Sequence, residues 1–199
     1  MIGPRDIQIV IPHCPHREAE ICRLMQSLEA SDWPLDESPP IVSFDSQKNQ
    51  ARNALLALKL GVRTGAEWIL HLENDVIVNR HLFWNLQTYP QLWSVSFVTL
   101  YSCVKPSIQI GENIRRIEPY DGWGAQGILL RRSAAEYAIR HWSRINGFAD
   151  LRMFRLVGEV SPIEMHIPSL VQHTGRSGAN RFHEVDNFAP DFRREVRQS

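Results

Sequence analysis

The sequence has little cysteine, no excess of either charge and no long apolar run, and each of these absences excludes a class of protein. Three cysteines in 199 residues are too few for a disulfide framework. We therefore expect a cytoplasmic protein, with a single disulfide in an exported protein as the alternative. Lys plus Arg and Asp plus Glu both number 22, so bulk charge does not favour nucleic acid as a partner.

The chain contains no apolar stretch near the roughly 20 residues that a membrane-spanning helix needs, so we expect no transmembrane segment. The N-terminus also lacks the apolar core of a signal peptide. A length of 199 residues suits one domain with a substantial core. We predict a domain over residues 1–175, followed by a C-terminal tail over residues 176–199 that ligand binding could order.

The first hundred residues alternate between strand-like and helix-like apolar spacing. This pattern predicts strands over 6–12, 41–44, 68–78 and 93–100, and helices over 17–29, 51–61 and 80–86. Asp45 and Ser46 offer N-cap chemistry for the second helix. Such alternation is typical of an α/β fold in which helices cover both faces of a mainly parallel sheet.

The second half of the sequence is less regular. A glycine-rich turn over residues 120–127 precedes a predicted strand at 128–130. Ser133 and Glu136 have capping-box spacing, which predicts a helix that starts there and ends near Gly147. An amphipathic segment over 151–157 and an alternating segment over 163–167 predict a further helix and strand.

The apolar run Trp68–Val78 is interrupted by the acidic triplet Glu73-Asn74-Asp75. Carboxylates at the end of a buried strand are costly unless they are paired or bind a cation. A hard divalent cation bound to a phosphate is therefore the first chemistry to consider at Asp75. The alternative is an aspartate that only caps a turn or the next helix.

His13, Asp45 and the acidic triplet each follow a predicted strand. In open α/β sheets, ligands bind beyond the carboxyl ends of the strands, so we expect these residues to converge at one edge. The residues His13-Cys14-Pro15-His16 also suggest zinc, but these ligands are crowded and lack a second matched pair.

Five features in sequence order resemble a glycosyltransferase of the GT-A fold, including the family 2-type enzymes. They are Pro12-His13, residues 49–53, the acidic triplet, Gly122-Trp123-Gly124 and the late His173. Residues 150–152 and 168–175 resemble the N-acetylglucosaminyltransferase IV family in particular. The resemblance covers residues 7–173 and implies a GT-A single-domain α/β/α sandwich.

The resemblance implies transfer of a sugar, N-acetylglucosamine in the favoured case, from a UDP-sugar to a hydroxyl of a glycan or other acceptor. It implies that Asp75 and His173 bind Mn²⁺ or Mg²⁺, and that Glu73 contacts ribose or metal-bound water. The usual Asp-x-Asp pattern has Asp where this chain has Glu73. The residues implied to contact the nucleotide or its phosphates are Pro12, His13, Arg17, Asp45, Arg52, Asn53, Glu73 and Asn74.

Asp150 is the residue expected to act as general base on the acceptor hydroxyl, with Asp121 and Glu159 as competing carboxylates. Its alternative role is a helix N-cap. We expect an inverting displacement, and a retaining reaction is the alternative because the fold hosts both. The residues expected to contact the sugar or acceptor are Asp121, Gly122, Trp123, Gly124 and Gln126.

Each of these residues also has a structural interpretation. Trp123 could be a core residue in a tight turn, His173 a surface-loop histidine, and Arg52 and Asn53 part of a solvated helix face. Two rival functions stay open. A nucleotidyltransferase would have a glycine-rich phosphate loop where Pro12-His13 stands, and a sugar-nucleotide-binding protein without activity would fit the departure at Glu73.

Overall fold

Ten strands and five helices account for most of the computed structural model, which describes residues 2–13, 17–44, 49–90, 92, 94–102, 107–174, 189–195 and 197. The strands are β1 (Ile7–His13), β2 (Ile41–Phe44), β3 (Trp68–Leu72), β4 (Val76–Val78), β5 (Phe97–Thr99), β6 (Ile108–Gly111), β7 (Ile114–Ile117), β8 (Gly127–Arg131), β9 (Ile163–His166) and β10 (Val171–His173). The helices are α1 (Glu18–Glu29), α2 (Gln50–Arg63), α3 (Leu82–Gln87), α4 (Arg132–His141) and α5 (Ala149–Gly158).

Eight of the described strands form one mixed sheet in the order β2-β1-β3-β8-β5-β9-β7-β6. The pairs β1–β2, β1–β3 and β5–β9 are parallel. The pairs β3–β8, β5–β8, β7–β9 and β6–β7 are antiparallel. Six of these eight strands therefore run in one direction, and β7 and β8 run against them.

Helices cover both faces of this sheet, because successive strand residues point to opposite sides. Ile9 and Leu70 pack with the apolar residues of α1 and α3 on one face. Val10 and Ile69 pack with those of α2, α4 and α5 on the other. The predicted α/β sandwich is confirmed, and each fully buried Leu or Ile contributes about 1.5–3 kcal/mol to it.

The boundaries of the first elements agree with the sequence predictions to within about two residues, as far as the chain is described, except that the strand predicted over 68–78 is two strands, β3 and β4, in different sheets. The second helix differs at its start: Asp45 and Ser46 lie outside the described residues, and the cap is Asn49, whose side chain accepts a hydrogen bond from the Arg52 N–H. The strand predicted over 93–100 is shorter, because regular pairing covers only Phe97–Thr99.

The capping-box prediction at Ser133 is wrong. Helix α4 starts at Arg132, directly after β8, and its N-cap position is Arg131, which makes no capping hydrogen bond through its side chain. The helix ends at His141 and is followed by a 3₁₀ turn over Trp142–Arg144. The hairpin of β6 and β7 was not predicted, because Ile108 and Ile110 are exposed and give no buried periodicity.

A second, two-stranded sheet pairs β4 with β10 in antiparallel orientation. Residues 189–195 pack beside it: Ala189 is buried, and its N–H donates to Gln172 Oε1 at 2.7 Å. The Asp191 carboxylate accepts hydrogen bonds from the buried hydroxyls of Ser102 and Ser169. Within the described part of the chain, no helix has the length and apolarity to cross a membrane.

Candidate active site

The carboxyl ends of β1 and β3 meet at one edge of the sheet, where the acidic triplet leaves β3. The register pairs Val10 of β1 with His71 of β3, so His13 and the triplet emerge side by side. The Glu73 N–H donates to Gln126 O at 3.2 Å. This bond joins the triplet to the glycine-rich segment that follows it by fifty residues.

Asp75 is the central carboxylate of this edge and is only 3% exposed. Its Oδ2 accepts a hydrogen bond from Arg17 Nη1 at 2.5 Å, within an ion pair. The Nε2 of His173 lies 3.2 Å from the same oxygen. The other carboxylate oxygen, Asp75 Oδ1, is buried and has no hydrogen-bond partner in the described structure. Among the described residues, Asp75 Oδ2 therefore has two polar partners, and Oδ1 has no hydrogen-bond partner.

The ribbon of β4 and β10 explains why His173 reaches Asp75 from 98 residues away. The antiparallel register places His173 opposite Val76, the residue after Asp75. Thr174 adds two hydrogen bonds to the Asp75 carbonyl, from its N–H at 2.8 Å and from its hydroxyl at 2.9 Å. The interpretation of His173 as a surface-loop residue is wrong, since its side chain is 5% exposed.

Burial acts to raise the pKa of the Asp75 carboxyl, but its hydrogen bond to His173, the charge of His173 and then Arg17 outweigh this and hold the pKa below its usual range. Burial acts on Glu73 in the same direction. There the negative charges of Asp75 and Asp150 add to it and raise the pKa of Glu73 to about 8. The pKa values of the two carboxyls of the triplet are therefore shifted in opposite directions.

Buried amides position the end of β1. Asn53 of α2 is buried, and its Nδ2 donates to His13 O at 2.8 Å, while its Oδ1 accepts from the Ser43 hydroxyl at 2.8 Å. The interpretation of Asn53 as part of a solvated helix face is therefore wrong. Asn74 Nδ2 lies 3.4 Å from His13 Nδ1, so the triplet also contacts this strand end.

The glycine-rich segment passes over α5 and contacts Asp150. The Gly124 N–H donates to Asp150 Oδ2 at 2.8 Å, and the Leu151 N–H donates to Oδ1 at 2.8 Å. Asp150 is the second residue of α5, whose N-cap position is Phe148, so its assignment as the N-cap is wrong. A carboxylate in the first turn is still stabilised by the helix dipole.

The two glycines beside Trp123 permit this close approach. A Cβ added at Gly122 would lie 1.9 Å from Phe154 Cδ1, and Gly124 has a φ of +92°, which favours glycine. The Trp123 side chain is 38% exposed, so it is not the core tryptophan of the structural interpretation. Gln126 is buried, and its Oε1 has no hydrogen-bond partner in the described structure.

The remaining predicted site residues fall into three groups. Pro12 is buried within β1 near the same edge. Asp121 and Arg52 are exposed, on the glycine-rich segment and on the first turn of α2. Asp45 lies outside the described residues. The structure thus brings Arg17, Glu73, Asp75, His173 and Asp150 into one neighbourhood.

The described residues include no group of three or more His, Cys, Asp or Glu side chains arranged to hold a metal ion. The pair of Asp75 and His173 nevertheless fits two ligands of one divalent cation. Adjacent ligands at about 2.1 Å from an octahedral ion are about 3 Å apart, close to the 3.2 Å between Asp75 Oδ2 and His173 Nε2. Asp75 Oδ1, which has no hydrogen-bond partner in the described structure, would be available as a further ligand atom.

Three residues that form contacts at this site, Gln50, His71 and Thr174, were not among the predicted site residues. Gln50 Nε2 donates to Glu73 Oε1 at 3.1 Å, His71 Nδ1 lies 3.3 Å from Ala125 O, and Thr174 binds the Asp75 carbonyl. The contact of Gln50 with Glu73 had one local signal in the sequence, the position of Gln50 one turn before Asn53. The other two depend on pairing between distant segments.

Comparison with protein-family models and with curated proteins gives no match. Solved structures do match. A197 from STIV aligns with a TM-score of 0.54 and 12% identity over 83% of each chain. S. aureus TarS 1–349 in complex with UDP-GlcNAc aligns with a TM-score of 0.59 and 12% identity, over 86% of this chain and 59% of that one. The same protein in complex with UDP gives a TM-score of 0.55 and 12% identity, over 83% and 59% of the two chains.

The chain spans 36% of the longer TarS chain. At 12% identity these similarities concern the fold, and they show that the chain has a GT-A-like α/β fold. The fold implied by the sequence resemblance is confirmed.

Proposed function

We propose that the protein is a glycosyltransferase that transfers a sugar, N-acetylglucosamine in the favoured case, from a UDP-sugar to a hydroxyl acceptor such as a glycan. The observation that carries this proposal is the placement of two separate carboxylates, Asp75 and Asp150, near one another at the ligand-binding edge of a GT-A-like sheet. The solved complexes of TarS with UDP-GlcNAc and UDP support the choice of donor.

The donor half of the site consists of His13, Arg17, Asn53, Asp75 and His173. The main chain of His13 is held by Asn53, which favours a rigid pocket for the nucleotide. Arg17 supplies a guanidinium that can pair with phosphate. Asp75 and His173 are the residues that would hold Mn²⁺ or Mg²⁺, and the bound ion would offset the negative charge of the departing diphosphate.

The acceptor half consists of residues 122–124 and Asp150. Asp150 takes the proton of the acceptor hydroxyl as that oxygen forms a bond to the anomeric carbon. The bond from this carbon to the diphosphate oxygen breaks at the same time, and UDP leaves with its electron pair. The half-exposed ring of Trp123 offers an apolar face for a sugar. An attack opposite to the leaving group inverts the anomeric centre.

Hydrolysis of UDP-GlcNAc tests this proposal without a known acceptor, because water replaces the hydroxyl. We expect release of UDP that depends on added Mn²⁺ and that falls at least about a hundredfold in Asp75→Asn. The matched control is Asp36→Asn. Asp36 is exposed and lies at the end of β1 opposite to His13. The hydroxyl of the nearby Ser38 donates to Ile7 O at the start of that strand.

Two results would contradict the proposal. One is the absence of turnover with any UDP-sugar, and the other is full turnover in Asp75→Asn. Tight UDP-GlcNAc binding without turnover would instead support the sugar-nucleotide-binding alternative, and calorimetric titration of the donor measures that binding directly.

A further inference from the structure

We propose that Arg17 and a divalent cation are alternative occupants of the Asp75 carboxylate, so that the ion binds well only when a nucleotide diphosphate is present to receive the released guanidinium. This inference rests on the proposed function, since it concerns the same donor half. It assigns to Arg17 a second role beyond phosphate contact, namely control of when the ion binds.

The first step of the argument is the occupancy of Asp75. Arg17 Nη1 lies 2.5 Å from Asp75 Oδ2, the oxygen that also faces His173 Nε2 at 3.2 Å. An ion bound to the Asp75–His173 pair would need the position beside this oxygen that the guanidinium holds. Arg17 and the ion therefore compete for one side of the same carboxylate.

The second step is the need for a cation when no ion is bound. The Asp75 side chain is 4% exposed, and its Oδ1 has no partner in the described structure. A buried carboxylate without a counter-charge is strongly destabilising. Arg17 carries a permanent charge, whereas that of His173 depends on protonation. Arg17 thus supplies the permanent counter-charge of the buried Asp75 carboxylate.

The third step is the ability of Arg17 to leave. The residue directly precedes α1, and its side chain is 31% exposed, so the guanidinium can turn away without a change in the buried core. Two cations beside one carboxylate repel each other unless further negative charge is present. A diphosphate supplies that charge, and its oxygens match the donor fork of an arginine.

The consequence is a positive coupling between ion and nucleotide. Without UDP the ion must displace Arg17 and binds weakly. With UDP, Arg17 has a new partner and the ion binds more tightly. Because such coupling is reciprocal, the ion must also strengthen UDP binding by the same factor.

Titration of Mn²⁺, followed by the electron paramagnetic resonance signal of the free ion, tests this inference without any turnover. We expect Arg17→Gln to bind Mn²⁺ roughly tenfold more tightly than the wild type in the absence of UDP. We also expect UDP to strengthen Mn²⁺ binding by a smaller factor in the variant than in the wild type. Asp75→Asn should abolish the site in both backgrounds.

The matched control is Arg23→Gln, which removes one positive charge from an exposed position on α1. It should leave the Mn²⁺ affinity within about twofold of the wild-type value, since the charge of an exposed side chain is screened by solvent and salt. Should Arg17→Gln fail to fold, as a thermal melt would report, Arg17→Lys takes its place: it keeps a positive charge for Asp75 but lacks the planar donor fork, so we expect a smaller dependence of Mn²⁺ affinity on UDP than in the wild type.

An unchanged or weaker Mn²⁺ affinity in Arg17→Gln would overturn the inference, and so would a wild-type dependence on UDP in Arg17→Lys or an equal gain in Arg23→Gln. A complete lack of Mn²⁺ binding in all variants would overturn it too. Failure of the proposed function has a different signature, because it would appear as loss of donor binding and hydrolysis while the effect of Arg17 on Mn²⁺ affinity persists.

Discussion

The donor half and the acceptor half of the site are held together by different kinds of contact. In the donor half, side chains bind one another or the backbone across long sequence separations, as in Arg17–Asp75 and Asn53–His13. In the acceptor half, the contacts involve the backbone: the Gly124 N–H donates to Asp150, and the Gly122 backbone packs directly on Phe154. The donor half therefore depends on charges and amides from distant parts of the chain, and the acceptor half depends on close approach of the glycine-rich backbone to α5.

The largest expected effect is on catalysis in the acceptor half. Replacement of Asp150 by Asn should lower UDP-GlcNAc hydrolysis about a thousandfold, because an amide cannot take the proton. The affinity for UDP should stay within about twofold of the wild type, since Asp150 lies outside the donor half. Rates and calorimetric UDP titrations measure the two effects. A larger loss of hydrolysis in Asp121→Asn would show that Asp121, and not Asp150, is the general base.

The next effect is on stability in the acceptor half. Gly122→Ala places a Cβ 1.9 Å from Phe154 Cδ1, so the core beneath must move. We expect a loss of about 3 kcal/mol in the free energy of unfolding, measured by urea denaturation. The control is Gly111→Ala, whose Cβ would meet no atom closer than 3.4 Å. Equal losses in the two variants would show that the backbone approach at Gly122 is unimportant.

A third, smaller effect concerns His71, which lies beneath the acceptor half and contacts Ala125. Burial lowers the pKa of His71 to about 4, against the opposing effect of the hydrogen bond to Ala125. The unfolded chain takes up a proton below about pH 6.5, while the folded chain does so only near pH 4, so stability falls as the pH drops through this window.

For His71 alone this loss amounts to about 2 kcal/mol between pH 7 and pH 5. His71→Gln, which cannot titrate, should reduce the wild-type difference in unfolding free energy between these pH values by that amount. Urea denaturation at both pH values gives the comparison. A variant with the wild-type difference would rule out His71 as the source.

The smallest expected effect tests the donor half. Asn53→Ala removes the bond to His13 O but leaves Ser43 its second acceptor, Asn53 O at 3.3 Å. We expect a loss of about 1 kcal/mol in stability, with a measurable weakening of UDP binding. Lys59→Ala, exposed on the same helix, is the control and should change neither quantity. A loss of stability without any effect on UDP would limit Asn53 to a structural role.

The same two halves differ in how far the sequence predicted them. Strands β1 to β3 are apolar runs that end at, or are followed by, polar residues, so the position of the donor half follows from chain order. The ion pair between Asp75 and Arg17 could not be predicted in this way, because the two residues are 58 positions apart and share no motif. Pairing between distant charges depends on the finished packing.

The elements of the second half of the chain were less predictable in their local structure. Ser133 and Glu136 have capping-box spacing, yet α4 begins one residue earlier, where the backbone leaves β8 directly. The isoleucines of β6 are exposed, β7 has only four residues, and β7 is held in the sheet by its pairing with β9. In both cases tertiary contacts override the local signal.

The long separation between Asp75 and its partners also has a consequence for biosynthesis. Asp75 lies 58 residues after Arg17 and 98 residues before His173. The Asp75 carboxylate therefore gains its second partner only after synthesis has reached His173. A nascent chain that lacks the ribbon of β4 and β10 exposes Asp75 without His173 or Thr174. Contacts between such distant segments carry a large loop-closure entropy cost, so the surroundings of Asp75 are complete only once the ribbon of β4 and β10 has paired.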